Sequence, residues 1–142
     1  EEAGTGGADR LAAERERDGM WPKDTTTILA IDTLANGDLF LLEEGELSRT
    51  PVPERLARAV ADVSAEPGML KVDRYVVPTG ATDCYPFLLR GWEACAITSI
   101  DRTLGAPRHY HHPTDTAANL DRGELGRSID FAERLCQRLV AG

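Results

Sequence analysis

The sequence is poor in positive charge: 16 Lys and Arg stand against 24 Asp and Glu, a formal net charge of −8. Neutralising nucleic-acid phosphates requires clustered basic side chains. Here the basic residues alternate with acids, as in Glu14-Arg15-Glu16-Arg17, the pattern of a solvated helix face, so no nucleic-acid partner is expected. Cysteine is scarce too. Cys84, Cys95 and Cys136 are odd in number and lack CxxC spacing, which argues against a disulfide scaffold or a cysteine zinc site. Such isolated thiols most often behave as small buried hydrophobes. Long apolar runs are missing: residues 27–31 and 39–42 fall far short of the roughly 20 needed to span a bilayer, so no membrane segment is expected. No basic-then-apolar leader opens the chain, and it starts at Glu1-Glu2 without Met. That start reads as a processed, trimmed or partial chain, and the compartment stays undetermined.

What is present suits a single domain. Hydrophobic residues make up 42% and charged residues 28% of 142 positions, enough to bury roughly 70% of the unfolded surface. The pattern predicts a helix over 8–17, with Leu11 and Met20 as its main apolar residues, and β-branched or apolar strands over 25–31 and 39–42 around the Asn36-Gly37-Asp38 turn. Pro51 and Pro53 open a helix over 51–66, with Leu56, Val60 and Val63 on one face, closed by Pro67-Gly68. A strand over 70–77 alternates Val72 and Val76 with Lys71 and Asp73. A short helix over 83–90 and a strand over 94–100 follow. A final helix over 122–140 is expected to turn Leu125, Ile129, Leu135, Cys136 and Leu139 inward. Strands alternating with helices predict an α/β fold: a mixed, mostly parallel sheet with helices on both faces.

Chemistry-bearing residues cluster in four stretches. Asp32 ends an apolar strand, where a carboxylate must find water, a cation or hydrogen-bond donors; on its own it suits helix capping or metal ligation equally. His109, His111 and His112 crowd beside Tyr110, with Asp115 placed to cap loop amides and Asp121 to cap the last helix. The Glu1-Glu2 doublet says little alone, since acidic doublets such as Glu43-Glu44 are common on surfaces. Because ligands gather outside the carboxyl ends of strands in open sheets, Asp32, Asp83 and His111 are expected to converge from corresponding strand ends.

Taken in order, these stretches resemble the zinc exopeptidase family of bacterial leucyl-type aminopeptidases, glutamate carboxypeptidase and glutaminyl cyclase. Glu1-Glu2-Ala3-Gly4-Thr5-Gly6-Gly7-Ala8 resembles its acidic doublet in E-E-x-G-x-x-G-S. Ile31-Asp32-Thr33-Leu34-Ala35 resembles a strand ending in I/L-D-x-x-G, with Ala35 where Gly is usual. Thr82-Asp83-Cys84-Tyr85-Pro86-Phe87 resembles S-D-H-x-P-F, with Cys84 in place of His. Tyr110-His111-His112-Pro113-Thr114-Asp115-Thr116 resembles the Y-H-T-P-x-D-T loop. The resemblance runs over nearly the whole chain.

It implies a role for each matching residue. Glu1 would be the general base, Glu2 and His111 would ligate one zinc, and Asp32 would ligate the other. Asp83 would be a supporting carboxylate that orients the site, and Tyr110 would lie near the substrate. The intact family uses two zinc ions, but its first zinc histidine and its bridging aspartate precede the acidic doublet. Residues 1–142 would thus be the C-terminal part of one zinc-peptidase catalytic domain, with a peptide substrate and a missing N-terminal half as partners. Alone it would be inactive, because a catalytic zinc normally needs three protein ligands. The alternatives are a glutaminyl cyclase-like acyltransferase, disfavoured by Tyr110 where cyclases tend to carry Trp, and a non-catalytic relative that serves as a binding or structural domain.

Overall fold

The computed structural model describes residues 4–45, 49–77 and 80–141. Helix α1 (Gly6–Asp18) leads into strands β1 (Thr27–Ile31) and β2 (Asp38–Glu43). Then come α2 (Glu54–Ser64), β3 (Asp73–Val76), α3 (Tyr85–Leu89), β4 (Glu93–Ile100), a 3-10 turn (Ala117–Asn119) and α4 (Arg122–Ala141). The four strands form one sheet in the order β1-β4-β2-β3. β1 runs parallel to β4 and β2 parallel to β3, while β2 and β4 are antiparallel, so the sheet is mixed with two parallel ladders. Helices cover both faces, as the alternation of strands and helices predicts.

Alternation along each strand sends successive side chains to opposite faces. Leu39, Leu41, Cys95 and Ile97 pack with Leu56, Val60 and Val63 of α2 and Phe131 and Leu135 of α4. Phe40, Leu42, Ala94, Ala96 and Ile100 face the other way, toward Ala12 of α1, Cys84, Phe87 of α3 and Trp92. The indole N–H of Trp92 donates to the Trp21 carbonyl at 3.0 Å, which satisfies its one polar atom inside this second cluster.

Three local expectations give way. In α4 the inward stripe is Ser128, Phe131, Ala132 and Leu135, with Leu139 packed against it; Ile129 and Cys136 are exposed. The aromatic ring of Phe131 fixes the rotation of the helix, and residues 129 and 136, seven apart, share the opposite side. In α1, which packs against α3, the fully buried residue is Ala12, while Leu11 and, beyond the helix end, Met20 are exposed. Strand β3 pairs only over Phe40–Glu43 of β2, and Val76 points outward at 42% exposure. The Val72 amide donates to Ser64 Oγ at 3.1 Å, so the chain before Asp73 follows the end of α2 instead of the sheet. Tyr75 and Val77 supply the inward side of this edge strand.

Candidate functional site

The loop after β1 is held by backbone geometry. Asp32 N donates to Ile97 O and Ser99 N donates to Thr33 O, so the chain stays against β4 beyond the strand. Thr33 (φ 49°) and Asn36 (φ 64°) adopt left-handed backbone, and a Cβ at Gly37 would come within 2.7 Å of the Ile100 backbone. Ala35 is not a left-handed position, so the turn keeps its shape without glycine there. Two contacts pin this loop to the start of α4: Asp121 N donates to Asn36 Oδ1 at 2.8 Å, and Gly37 N donates to Glu124 Oε2 at 3.1 Å. Asp121 also caps α4 as expected, accepting from Glu124 N at 2.8 Å. Asp115 plays no such part, since no hydrogen bond reaches its carboxylate among the described residues.

The element after this loop is β2, so Asp32 has no helix to cap. Its carboxylate is exposed and makes no hydrogen bond or ion pair among the described residues. By strand alternation it shares a face with Ile28 and Ala30, the face of the α1/α3 cluster. There a groove of about 1120 Å³ runs along the sheet, and both Asp32 and Tyr110 line it. Tyr110 belongs to a tightly wound loop. His109 and His111 have left-handed backbone (φ 70° and 58°), and the His109 ring sits 2.9 Å from Thr114 Oγ1. The rings of Tyr110 and His111 meet edge to face at 4.0 Å, which places His111 beside the groove wall, although His111 is not among the groove's lining residues. The base of the loop is closed by the bridge between Asp101 and Ala106. Asp101 accepts from the amides of Thr103 and Leu104 and from Arg108, which together hold its carboxyl below the usual range.

Asp83 lines the same groove but does not come from a corresponding strand end. β3 runs antiparallel to β4, through β2, so its carboxyl end lies at the opposite end of the strands from those of β1 and β4. Residues 77–82 then separate the strand from Asp83. By register Asp32 is level with Thr98 and Phe40, whereas Glu44 lies four residues further along, about 13 Å along the strands. The segment before Asp83 is tied to Glu44. Asp83 makes no hydrogen bond or ion pair among the described residues. Glu1 and Glu2 lie outside the described residues.

Sequence reasoning missed Glu43 and Glu44, read there as a surface doublet. Both are buried, at 8% and 2% exposure. Glu43 turns to the α2/α4 side and accepts from Arg49 (3.1 Å) and Arg74 (3.2 Å). Glu44 shares the groove face with Phe40 and Leu42, and its donors are Thr82 and Cys84. The available signal was position: like Asp32, these carboxylates directly follow an apolar strand. Cys84 is buried against Glu44, and burial above all pushes its thiol far above the ordinary range; burial likewise pushes Cys95 up to about 12. Neither is a reactive thiolate.

Carboxylate and imidazole suit zinc in kind. Among the described residues, however, no group of three or more His, Cys, Asp or Glu is gathered closely enough to hold a metal ion. Asp32 and His111 are donors of a suitable kind, and neither belongs to a closed metal site among the described residues. No helix among the described residues is long and apolar enough to cross a membrane.

Comparison with known proteins places this geometry in context. The sequence model of Peptidase family M28 matches residues 1–135. Among solved structures, the chain is similar to an aminopeptidase from Aneurinibacillus sp. strain AM-1 (TM-score 0.71, 20% identity, 97% of this chain and 31% of that one). It is also similar to LapA from Legionella (TM-score 0.76, 14% identity, 97% and 37%) and to BSAP, a zinc aminopeptidase from Bacillus subtilis (TM-score 0.64, 14% identity, 96% and 32%). The chain thus spans about a third of the length of each of these structures, and the likeness at these identities is one of fold. No curated protein matches the sequence.

Proposed function

The chain belongs to Peptidase family M28, and from that membership we propose that it forms the C-terminal part of a zinc-dependent aminopeptidase that hydrolyses N-terminal peptide bonds. The observation that carries this reading is Asp32: an exposed carboxylate at the end of β1, unpaired among the described residues, on a groove whose wall includes Tyr110, the neighbour of His111. In this reading Asp32 would hold one zinc, and Glu2 with His111 the other. Zinc, when bound, supplies Lewis acidity toward the scissile carbonyl and toward water near neutral pH. Glu1 takes a proton from the attacking water and returns it to the leaving amine, which requires a carboxylate that is ionised at working pH. Tyr110 packs against the substrate's first residue from the groove wall. The apolar floor of Ile28, Ala30 and Leu42 excludes water around that residue. Asp83 contributes to the wall at the other end of the groove.

The described residues provide too few ligands for a closed zinc site, so this chain alone is expected to bind zinc weakly, without fixed stoichiometry, and to be inactive. The remaining ligands would come from a further part of the same domain. β1 is open to such a part: its outer edge is unpaired among the described residues, and Ile31 is 42% exposed. The experiment is hydrolysis of aminoacyl-p-nitroanilides by the whole protein that carries this sequence, before and after chelation. Chelator-sensitive release of p-nitroaniline, restored by zinc, supports the peptidase reading. A well-folded protein that binds such substrates without turning them over would instead be a non-catalytic relative.

A further inference from the structure

Among the described residues, the buried carboxylate Glu44 has no Lys or Arg as a hydrogen-bond partner. Burying such a charge is costly unless hydrogen bonds replace its hydration. Among the described residues, its three side-chain hydrogen bonds all go to one short segment. Thr82 N donates to Oε2 at 2.5 Å, Thr82 Oγ1 donates to Oε1 at 2.9 Å, and the Cys84 thiol donates to the same Oε1 at 2.8 Å. The main chain of Glu44 is itself fixed, accepting from Thr50 N at 3.0 Å. That segment forms part of the groove: Gly80, Ala81, Thr82 and Asp83 all line it, and Glu44 lines it beside them.

We propose that Glu44 is a positioning residue that ties the 80–84 wall of the groove to the end of β2 and so sets the width of the substrate-binding groove. The proposal rests on the reading of that groove as the substrate site. The charge strengthens the clamp: the Thr82 amide can only donate, whereas the Thr82 hydroxyl and the Cys84 thiol can also accept, so an isosteric amide keeps at most a weaker, uncharged version of these bonds. Among the described residues no cation pairs with this carboxylate, which concentrates its effect on Thr82 and Cys84. The clamp lies about 13 Å along the strands from the level of Asp32. Loosening it should therefore act on how substrate is held rather than on the ions.

Two variants test this, Glu44→Gln and Thr82→Val, the second keeping the carboxylate and removing only one donor. In the whole protein, Glu44→Gln is expected to raise KM for aminoacyl-p-nitroanilides about tenfold, with kcat within about threefold of wild type and zinc content unchanged, the scale set by hydrogen bonds to a charged group. Thr82→Val should shift KM the same way by less. A fall in kcat with loss of zinc, or an unchanged KM in both variants, would overturn the proposal. Iodoacetamide labelling of Cys84, read by mass spectrometry on folded protein, gives a readout independent of turnover. It should accelerate at least about tenfold in Glu44→Gln as the wall opens. If the wild-type protein hydrolyses no anilide, the peptidase reading fails. Accelerated Cys84 labelling then still upholds the clamp, and unchanged labelling overturns it.

Discussion

The two faces of the sheet are built from the same four strands and serve different ends. On one face α2 and α4 close over Leu39, Leu41, Cys95 and Ile97, and the helices pack against each other as well as on the strands. Arg134 reaches Glu66 at 2.6 Å and Arg138 pairs with Asp62, joining the two helices at the rim. On the other face α1 and α3 cover only part of the strands, and the remainder is the floor of a groove with carboxylates on its lining. One face is filled for stability, and the other is left partly open with polar groups at its margins, which is the arrangement a ligand site requires.

The sharpest way to break this comparison is to empty one large position on each face. Phe131, fully buried, is expected to cost about 3–5 kcal/mol when changed to Ala, whereas Val77→Ala on the groove face should cost about 1 kcal/mol or less because it is already half open. Urea denaturation of both variants checks this; equal costs would mean that the groove face is packed as tightly as the other. A smaller effect is expected at Gly37, where an Ala Cβ would press on the Ile100 backbone at 2.7 Å. Gly37→Ala should lose about 1–3 kcal/mol by overpacking and displace the loop that carries Asp32, seen as shifted amide resonances for residues 32–37.

The smallest effect concerns pH at the groove's margin. The Asp101 carboxyl is held below its usual range first by the Thr103 amide and then by Arg108. A depressed carboxylate contributes its stabilisation above its unfolded pKa and loses it as pH falls through the folded one. Amide protection at Thr103 and Leu104 should therefore hold at neutral pH and fade only on acidification below the ordinary Asp range. Hydrogen exchange across an acid series measures it, and fading that begins above that range would contradict the assignment.

How far the residues disclosed this arrangement varied with burial. β1, β2, β4 and α2 were legible because their apolar runs or helical spacing leave one reading. The place of Asp32 on the groove was signalled for a related reason: a lone carboxylate that ends an apolar run needs an explanation. Glu44 carries the same signal but was hidden by its neighbour, since an acidic pair reads as surface when each member in fact faces a different side of the sheet. The α4 face was misread because Ile129 and Cys136 look apolar, while Ser128, which is buried, does not. The position of Asp83 depended on strand direction, which is decided by long-range pairing that local pattern does not encode.

The central claim is that the open face of the sheet is a zinc peptidase site with Asp32 as a metal ligand. Asp32→Asn in the whole protein, with metal content and aminoacyl-p-nitroanilide hydrolysis measured on the same folded sample, tests it most directly. The account predicts loss of about one zinc per chain and a fall in kcat of at least about a hundredfold, with the unfolding midpoint little changed. Full zinc content with undiminished turnover would contradict it.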